Sequence, residues 1–440
     1  MRIGFHTLGC KLNQYETEAL ASSFRAQGHT VVSGAEEADA YIVNTCTVTG
    51  RADHKSRAAV RSLSRRHPQA LLIITGCSGE LEGETLASLG ENVLLVPQSA
   101  KGDLMSLAER ITGSADIASG LAELRRGSAP AVPDPFAFRV KGGLSFHTRA
   151  FLKVQDGCDA WCAYCRVPQA RGPSRSLDVD EVLRRAVELE SSGHREIVIT
   201  GVNISSYRSK DVELSRLVRE MVGATRVARF RLSSLEPEAL TQDLAESLAL
   251  ERVCAHFHLP VQSGSDGVLG RMKRRYRSSK VADGIALLRQ AKEDPFVAAD
   301  FIVGFPGETP EEHQESVRLI RSTHLAALHV FPFSPRPGTL AATLRPAVPQ
   351  RVRDERAAEL GRLSRALLEA YAKTWAGREA EALIEAKTAR GAGDAHGVTG
   401  NYLKVSVHHV PAEVNRKGTM IRVRITDPGE TCSAVFLRPA

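Results

Sequence analysis

No apolar run in the 440-residue chain is long enough to cross a bilayer, and its opening, MRIGFHTLGCKLNQYE, lacks the long apolar stretch of a secretory leader. Those two absences point to the cytoplasm and to no membrane partner. In such a reducing compartment the eight cysteines read as metal ligands, catalytic groups or packed core residues, and not as disulfides. There is also no internal repeat and no low-complexity tract of consequence. The net charge of +7 and pI near 9.0 are a modest excess, compatible with a polyanionic partner without requiring one. The length exceeds one ordinary core, so two or three domains are expected.

What is present is an alternation of strand-like and helical segments. Arg2–Phe5, Ala40–Val43 and Leu71–Thr75 read as strands, and Gln14–Gln27 and Asp53–Arg66 as helices. That order predicts a small parallel α/β domain over residues 1–114. Residues 115–143, rich in Pro, Gly and small side chains, read as a linker. From 144 to 374 six strand candidates follow: Phe151–Val154, Glu196–Thr200, Arg229–Leu232, His256–Leu259, Ala298–Val303 and Ala327–Phe331. Intervening helices at Val179–Ser192, Ser215–Val222, Lys280–Glu293 and Pro310–Ser322 make this a partial (β/α)6 barrel, closed off by a helix over Arg351–Ala376. Residues 375–440 carry short β runs at Glu379–Glu385, Leu403–Val407, Met420–Ile425 and Cys432–Leu437. They predict a small antiparallel barrel of the oligonucleotide-binding type.

The cysteines carry the chemistry. Cys158-x-x-x-Cys162-x-x-Cys165 follows the first barrel strand. A structural zinc site takes four protein ligands, whereas three thiolates on an iron–sulfur cubane leave one iron open to a small molecule. An incomplete zinc site and chance loop cysteines are the bland alternatives. Cys10, Cys46 and Cys77 each end one of three N-terminal strands, and parallel strands bring such ends to one sheet edge. They read as a second cluster site, with three buried structural cysteines as the alternative. Cys254 and Cys432 read as packing, and Cys254-x-His256-x-His258 as inward-facing barrel positions.

With GCKLNQYE, NTCTVT, TGC, QDGC-x-x-x-C-x-x-C, ARG-x-SRS, TGVN, SSLEP, HLPVQSGS and D-x-IVGFPGET on the page, nearly the whole chain resembles the radical S-adenosylmethionine methylthiotransferases. TLGCKLNQYET, CTVT-x-x-ADHKSR, HFHLPVQSGS and HVFPFS resemble the branch acting on N6-threonylcarbamoyladenosine at position 37 of tRNA. The isopentenyladenosine and ribosomal-protein branches are the alternatives, and a non-catalytic iron–sulfur RNA-binding protein is a third. The resemblance implies a radical-SAM barrel followed by a TRAM domain, and two 4Fe–4S clusters. Cys158, Cys162 and Cys165 would hold the one that cleaves S-adenosylmethionine, and Cys10, Cys46 and Cys77 the auxiliary one. One S-adenosylmethionine would give the methyl group and a second the radical that takes hydrogen from adenine carbon 2. An external electron donor and a sulfur source are then also needed. No protein acid or base is implied, because the cofactors do the hard step.

Strand-end loops supply the expected cofactor contacts: Gly201 and Asn203, Ser234 and Glu236, Gln262, and Gly304 with Phe305. The glycine-rich GFPG segment lacks the Lys-Ser/Thr of a triphosphate loop. Arg271, Lys273, Arg274, Arg275 and Arg277 form a basic run at the expected barrel mouth and are the RNA-binding candidates, with Arg51, Lys55, Arg57 and Arg61 beside Cys46. The chain departs from the family pattern at Arg166, Val167 and Gln169, and at Ser78-Gly79-Glu80. Those positions bear on the surroundings of the clusters rather than on their ligation.

Overall fold

The computed structural model describes residues 1–111, 134–140, 148–387 and 393–440. The N-terminal domain is a parallel five-stranded sheet. Its strands are β1 (Arg2–Thr7), β2 (Thr30–Ser33), β3 (Ala40–Thr45), β4 (Leu71–Gly76) and β5 (Val93–Leu95), in the order β2-β1-β3-β4-β5. Helix α1 (Lys11–Ala26) starts directly after Cys10. Its Tyr15, Ala19, Leu20 and Phe24 fall at helical spacing and pack on Ile3, Ile42 and Ile73 of the sheet. Helix α2 (Gly50–Arg66) buries Val60 and Leu63 on the opposite face, against Val43 and Ile74.

The barrel strands are β6 (Ala150–Lys153), β7 (Glu196–Thr200), β8 (Arg229–Leu232), β9 (His256–Gln262), β10 (Phe296–Val303) and β11 (Ala327–Pro332). All neighbours run parallel, and single bridges at Phe230–Val253 and Ser234–His258 join the first three strands to the last three. Alternate residues such as Leu152, Ile197, Phe230, Phe257, Ala299 and Leu328 pack outward into the main hydrophobic core. The intervening positions therefore face the barrel interior. Helices α3 (Val179–Ser191), α4 (Leu214–Ala224), α5 (Ser278–Ala291) and α6 (Pro310–Ser322) lie between the strands, and α6 opens on a reciprocal Thr309–Glu312 capping box.

The long helix α7 (Gln350–Thr374) leads to the C-terminal barrel of β12 (Glu379–Lys387), β13 (Ala395–Thr399), β14 (Lys404–His408), β15 (Met420–Asp427) and β16 (Cys432–Pro439). It closes in the order β12-β13-β14-β16-β15. This differs from a purely antiparallel barrel at one seam: β14 pairs with β16 in parallel, the feature that shuts a five-stranded Greek key. Strand β13 was not expected from the sequence.

Both outer domains dock on the inside of the open barrel. Phe151 and Val198, inward residues of β6 and β7, join the N-terminal core. At the other end Arg231 donates to the Thr399 and Gly400 carbonyls at 3.0 Å each, and the His256 ring lies 4.2 Å from that of Tyr402. Within the expected linker, residues 134–140 pass between these bodies. Phe136 is buried in the barrel core and Phe138 in the N-terminal core. Residues 115–133 and 141–143 of that segment lie outside the described residues.

Candidate active site

Cys10, Cys46 and Cys77 follow the C-terminal ends of β1, β3 and β4, which are adjacent in the sheet. The geometry explains the small residues before them. Gly9 stands at φ +101°, and a Cβ there would lie 2.4 Å from Cys46 Sγ. The Asn13 side chain ties the turns together, donating to the Leu8 and Thr45 carbonyls at 2.8 and 2.9 Å. Cys10 is exposed, while Cys46 and Cys77 are buried. Burial pushes the Cys46 thiol up to about 12 and raises that of Cys77.

The second thiol set sits on the loop after β6. Gly157, at φ +74°, brings this loop so close to its return segment that a Cβ would lie 1.9 Å from the Pro173 carbonyl oxygen. The loop is pinned by Cys158 N–H to Gly172 O at 3.1 Å and by Ala163 N–H to Met272 O at 2.9 Å. Each of its sulfurs accepts a hydrogen bond: Cys158 from Ala160 N–H, Cys165 from Val167 N–H, and Cys162 from Arg274 at 3.2 Å. Burial raises the Cys158 thiol and takes Cys165 to about 12. Such thiols do not ionise unaided at neutral pH, which disfavours a free nucleophile. N–H donors aimed at sulfur, with the Arg274 guanidinium beside Cys162 and that of Arg171 beside Cys77, suit thiolates neutralised by iron. Both sets therefore fit an iron–sulfur cluster.

The two sites adjoin. The short helix Cys77–Leu81 packs on the short helix Val167–Arg171. Arg171 places its charge beside the Cys77 thiol and grips Asp156, two residues before Cys158, with both contacts at 3.1 Å. Around it Glu16, Lys101, Lys153 and Asn13 form a buried network. Ser78 and Arg166, where the chain departs from the family pattern, belong to a second junction. Ser78 donates to the Cys46 carbonyl at 2.7 Å and to Asp53 at 3.1 Å. Asp53 accepts from Arg336 at 2.5 Å, and Arg166 pairs with Glu82 at 3.0 Å. Gln169 instead reaches the Gly338 carbonyl.

The expected cofactor residues fall in loops at one end of the barrel. Gly201 and Asn203 are coupled to the cysteine loop through Gln155, whose Oε1 accepts from Asn203 N–H at 2.7 Å while its amide donates to Gly157 O. Glu236 pairs with Arg274, and burial lifts its carboxyl to about 7. Ser234 bonds His258 Nδ1 at 2.7 Å, and Gln262 stands at φ 65° with its side chain buried. Gly304 adopts φ +69°. The Phe305 ring is fully buried, edge-on to Phe333 in the packing beneath the cysteine loop.

The basic run divides. Lys273, Arg275 and Arg277 are exposed. Arg271 is paired with Glu312 at 2.6 Å, and Arg274 with Glu236 and Cys162. Those two charges are spent inside the fold, which the run of letters does not reveal. Sequence reasoning also missed Glu16, Asp156 and Arg171, although GCKLNQYE, QDGC and ARG-x-SRS contain them. It likewise missed Asp300 and His329, whose carboxylate and imidazole meet His258 inside the barrel with their ligand atoms within 4.8 Å.

A partial barrel with a three-cysteine loop after its first strand defines a radical S-adenosylmethionine enzyme, here joined to a second three-cysteine site. Family models agree: the radical SAM superfamily matches residues 152–320, and a family described as uncharacterized protein family UPF0004 matches residues 2–97. The threonylcarbamoyladenosine tRNA methylthiotransferase MtaB of Treponema pallidum is 35% identical, across 97% of this chain and 98% of its own length. A tRNA-2-methylthio-N(6)-dimethylallyladenosine synthase of Methylobacillus flagellatus is 30% identical across 97% of this chain and 96% of its own. The radical S-adenosylmethionine methyltransferase TsrM of Kitasatospora setae, solved with cobalamin and a 4Fe–4S cluster, shares the fold. Its TM-score is 0.57 at 16% identity, over 78% of this chain and 77% of that one. The chain belongs to the radical S-adenosylmethionine methylthiotransferase family. The cofactors of that family are S-adenosylmethionine and two 4Fe–4S clusters. No helix among the described residues is long and apolar enough to cross a membrane.

Proposed function

We propose that the protein methylthiolates N6-threonylcarbamoyladenosine at position 37 of tRNA, in the cytoplasm. Cys158, Cys162 and Cys165 hold the cluster that binds S-adenosylmethionine, and Cys10, Cys46 and Cys77 hold the auxiliary cluster. The observation that carries this reading is the adjacency of the two thiol sets, where the Cys77–Leu81 helix packs on the Val167–Arg171 helix and Arg171 bonds Asp156 beside Cys158. When bound, these groups supply the 5′-deoxyadenosyl radical, the methyl group and the sulfur, drawing on an external electron donor and sulfur source.

The chain's own residues hold and shield. Gly201, Asn203, Ser234, Glu236, Gln262 and the backbone of Gly304 and Phe305 lie in loops at the same end of the barrel as the cysteine loop and would position S-adenosylmethionine there. The buried Phe305 ring serves by supporting the cysteine loop from below. Arg274 donates to Cys162 Sγ and places a positive charge beside the thiolates. Lys273, Arg275 and Arg277 contact tRNA phosphates, with Trp161, 58% exposed on the cysteine loop, available to stack on a base. Residues 1–114, 144–374 and 375–440 act as auxiliary-cluster, radical and TRAM domains, connected through 115–143.

Mass spectrometry of tRNA nucleosides from cells with and without the protein tests the reading. The 2-methylthio derivative of threonylcarbamoyladenosine is expected to disappear with the gene and return with it; an unchanged level refutes the substrate.

A further inference from the structure

Inside the barrel, beyond the residues assigned above, His258 of β9, Asp300 of β10 and His329 of β11 stand side by side. Asp300 is in register with His329, and all three occupy inward positions, because their neighbours Phe257, Leu259, Ala299, Phe301, Leu328 and Val330 pack outward. Asp300 Oδ1 accepts from His258 Nε2 at 2.9 Å and lies 3.2 Å from His329 Nδ1. The other His258 nitrogen is held by Ser234 at 2.7 Å. Two residues on, Glu236 pairs with Arg274, which reaches Cys162 Sγ, so the group is continuous with the cysteine loop. Burial opposes the Asp300 charge, yet hydrogen bonds from both histidines hold its carboxyl below the usual range.

The bonds among the three leave one Asp300 oxygen and His329 Nε2 without a described partner, and the His329 side chain is 57% exposed. The group thus presents an acceptor and an imidazole nitrogen together on a rigid sheet. A substituent of hydrocarbon alone would strip these groups of water and return no hydrogen bond, whereas one carrying hydroxyl, urea and carboxylate groups satisfies them. We propose that His258, Asp300 and His329 form the wall that receives the N6 substituent of the target adenosine and selects a polar threonylcarbamoyl group over an isopentenyl group. This rests on the tRNA reading above. Asp300 accepts from the urea N–H and His329 Nε2 accepts from the hydroxyl, with His258 and Ser234 fixing Asp300 in place.

The test uses the reconstituted holoenzyme and two anticodon stem-loops that differ only in carrying threonylcarbamoyl or isopentenyl at N6. For His329→Phe, and separately for the isosteric Asp300→Asn, the ratio of kcat/KM for the threonylcarbamoyl over the isopentenyl stem-loop is expected to fall about tenfold or more. The electron paramagnetic resonance spectra of the reduced clusters, and the Kd of a stem-loop with unmodified adenosine at the target position, should match those of the wild type, which a folding defect would not allow. An unchanged ratio, or an equal loss on both stem-loops, overturns the proposal. So does a third metal ion, other than cluster iron, that is present in wild type and absent from both variants, because the three residues would then be its ligands. A wild type inactive on the threonylcarbamoyl stem-loop but active on the isopentenyl one refutes the parent reading, and the selection proposal falls with it.

Discussion

Arg171 and Glu16 meet across the junction of barrel and N-terminal domain through two hydrogen bonds, of 3.0 and 3.2 Å, with both side chains buried. Lys101 and Lys153 share Glu16, and Lys153 and Arg171 share Asp156. Three cations thus face two carboxylates, and the surplus positive charge lies beside Cys77. That surplus suits a site meant for thiolates. Burying charge is costly, but removing one member of a satisfied network costs more, because its partners stay buried and unpaired.

Arg171→Met is therefore expected to destabilise the protein by about 3–5 kcal/mol. Arg171→Lys, which keeps the charge but loses the two-pronged grip, should cost less. Denaturant unfolding of both variants measures the difference; equal stabilities would contradict the role given to the fork.

Glu196 ties the barrel to the C-terminal domain. It is fully buried, and although burial opposes its charge, Arg231 and Arg229 bring its carboxyl down to about 2. Both arginines also donate to carbonyls of the C-terminal barrel. A depressed carboxylate contributes stability that is full above its unfolded pKa of about 4.5 and is lost as pH falls toward 2. The expected contribution is about 3 kcal/mol. Glu196→Gln should lower stability at pH 7 and flatten the acid limb between pH 4.5 and 2. A variant with the wild-type acid profile would exclude Glu196 as its source.

The division of the basic run predicts two different phenotypes. Replacing Lys273, Arg275 and Arg277 together by Ala should weaken tRNA binding and lower the salt slope of log Kd by about two to three. Arg274→Ala should leave that slope in place and instead perturb the cluster held by Cys162, visible in its electron paramagnetic resonance spectrum. If Arg274→Ala reduced the slope as much as the triple variant does, the ion pair with Glu236 would not be its role.

Arg336 closes the barrel over Cys46 by donating to Asp53 and Thr47. Arg336→Ala leaves the buried Asp53 with fewer partners, and hydrogen exchange is expected to rise across Thr47–Ser78 while the C-terminal barrel is unaffected. Uniform exchange would show that the contact does not hold the junction.

Much of this was legible in the letters. Strands such as Glu196–Thr200 and Arg229–Leu232 occur as expected because short β-branched and aromatic runs between helices leave few alternatives. The thiol sets were visible because local rules govern them, three cysteines in one loop and one at each strand end. Asp300 and His329 were not, because their meeting depends on the register of β10 against β11. Glu16 and Arg171 are 155 positions apart in the chain, and nothing local marks them as partners. Phe305 reads as a contact residue by its motif, yet its ring packs against Phe333. Strand β13, AHGVT, escaped notice because Gly397 and the glycines on either side of it (Gly393 and Gly400) mimic a loop, although Gly397 is needed where a Cβ would lie 2.8 Å from the Leu383 carbonyl oxygen.

The central claim is that two independent thiol sets each hold a cluster. Iron and acid-labile sulfide, counted after anaerobic reconstitution, test it most directly in two triple variants: Cys158→Ala/Cys162→Ala/Cys165→Ala and Cys10→Ala/Cys46→Ala/Cys77→Ala. The account predicts about eight irons per chain in the wild type and about four in each variant. A first variant with no iron, or a second with the full wild-type content, would contradict it.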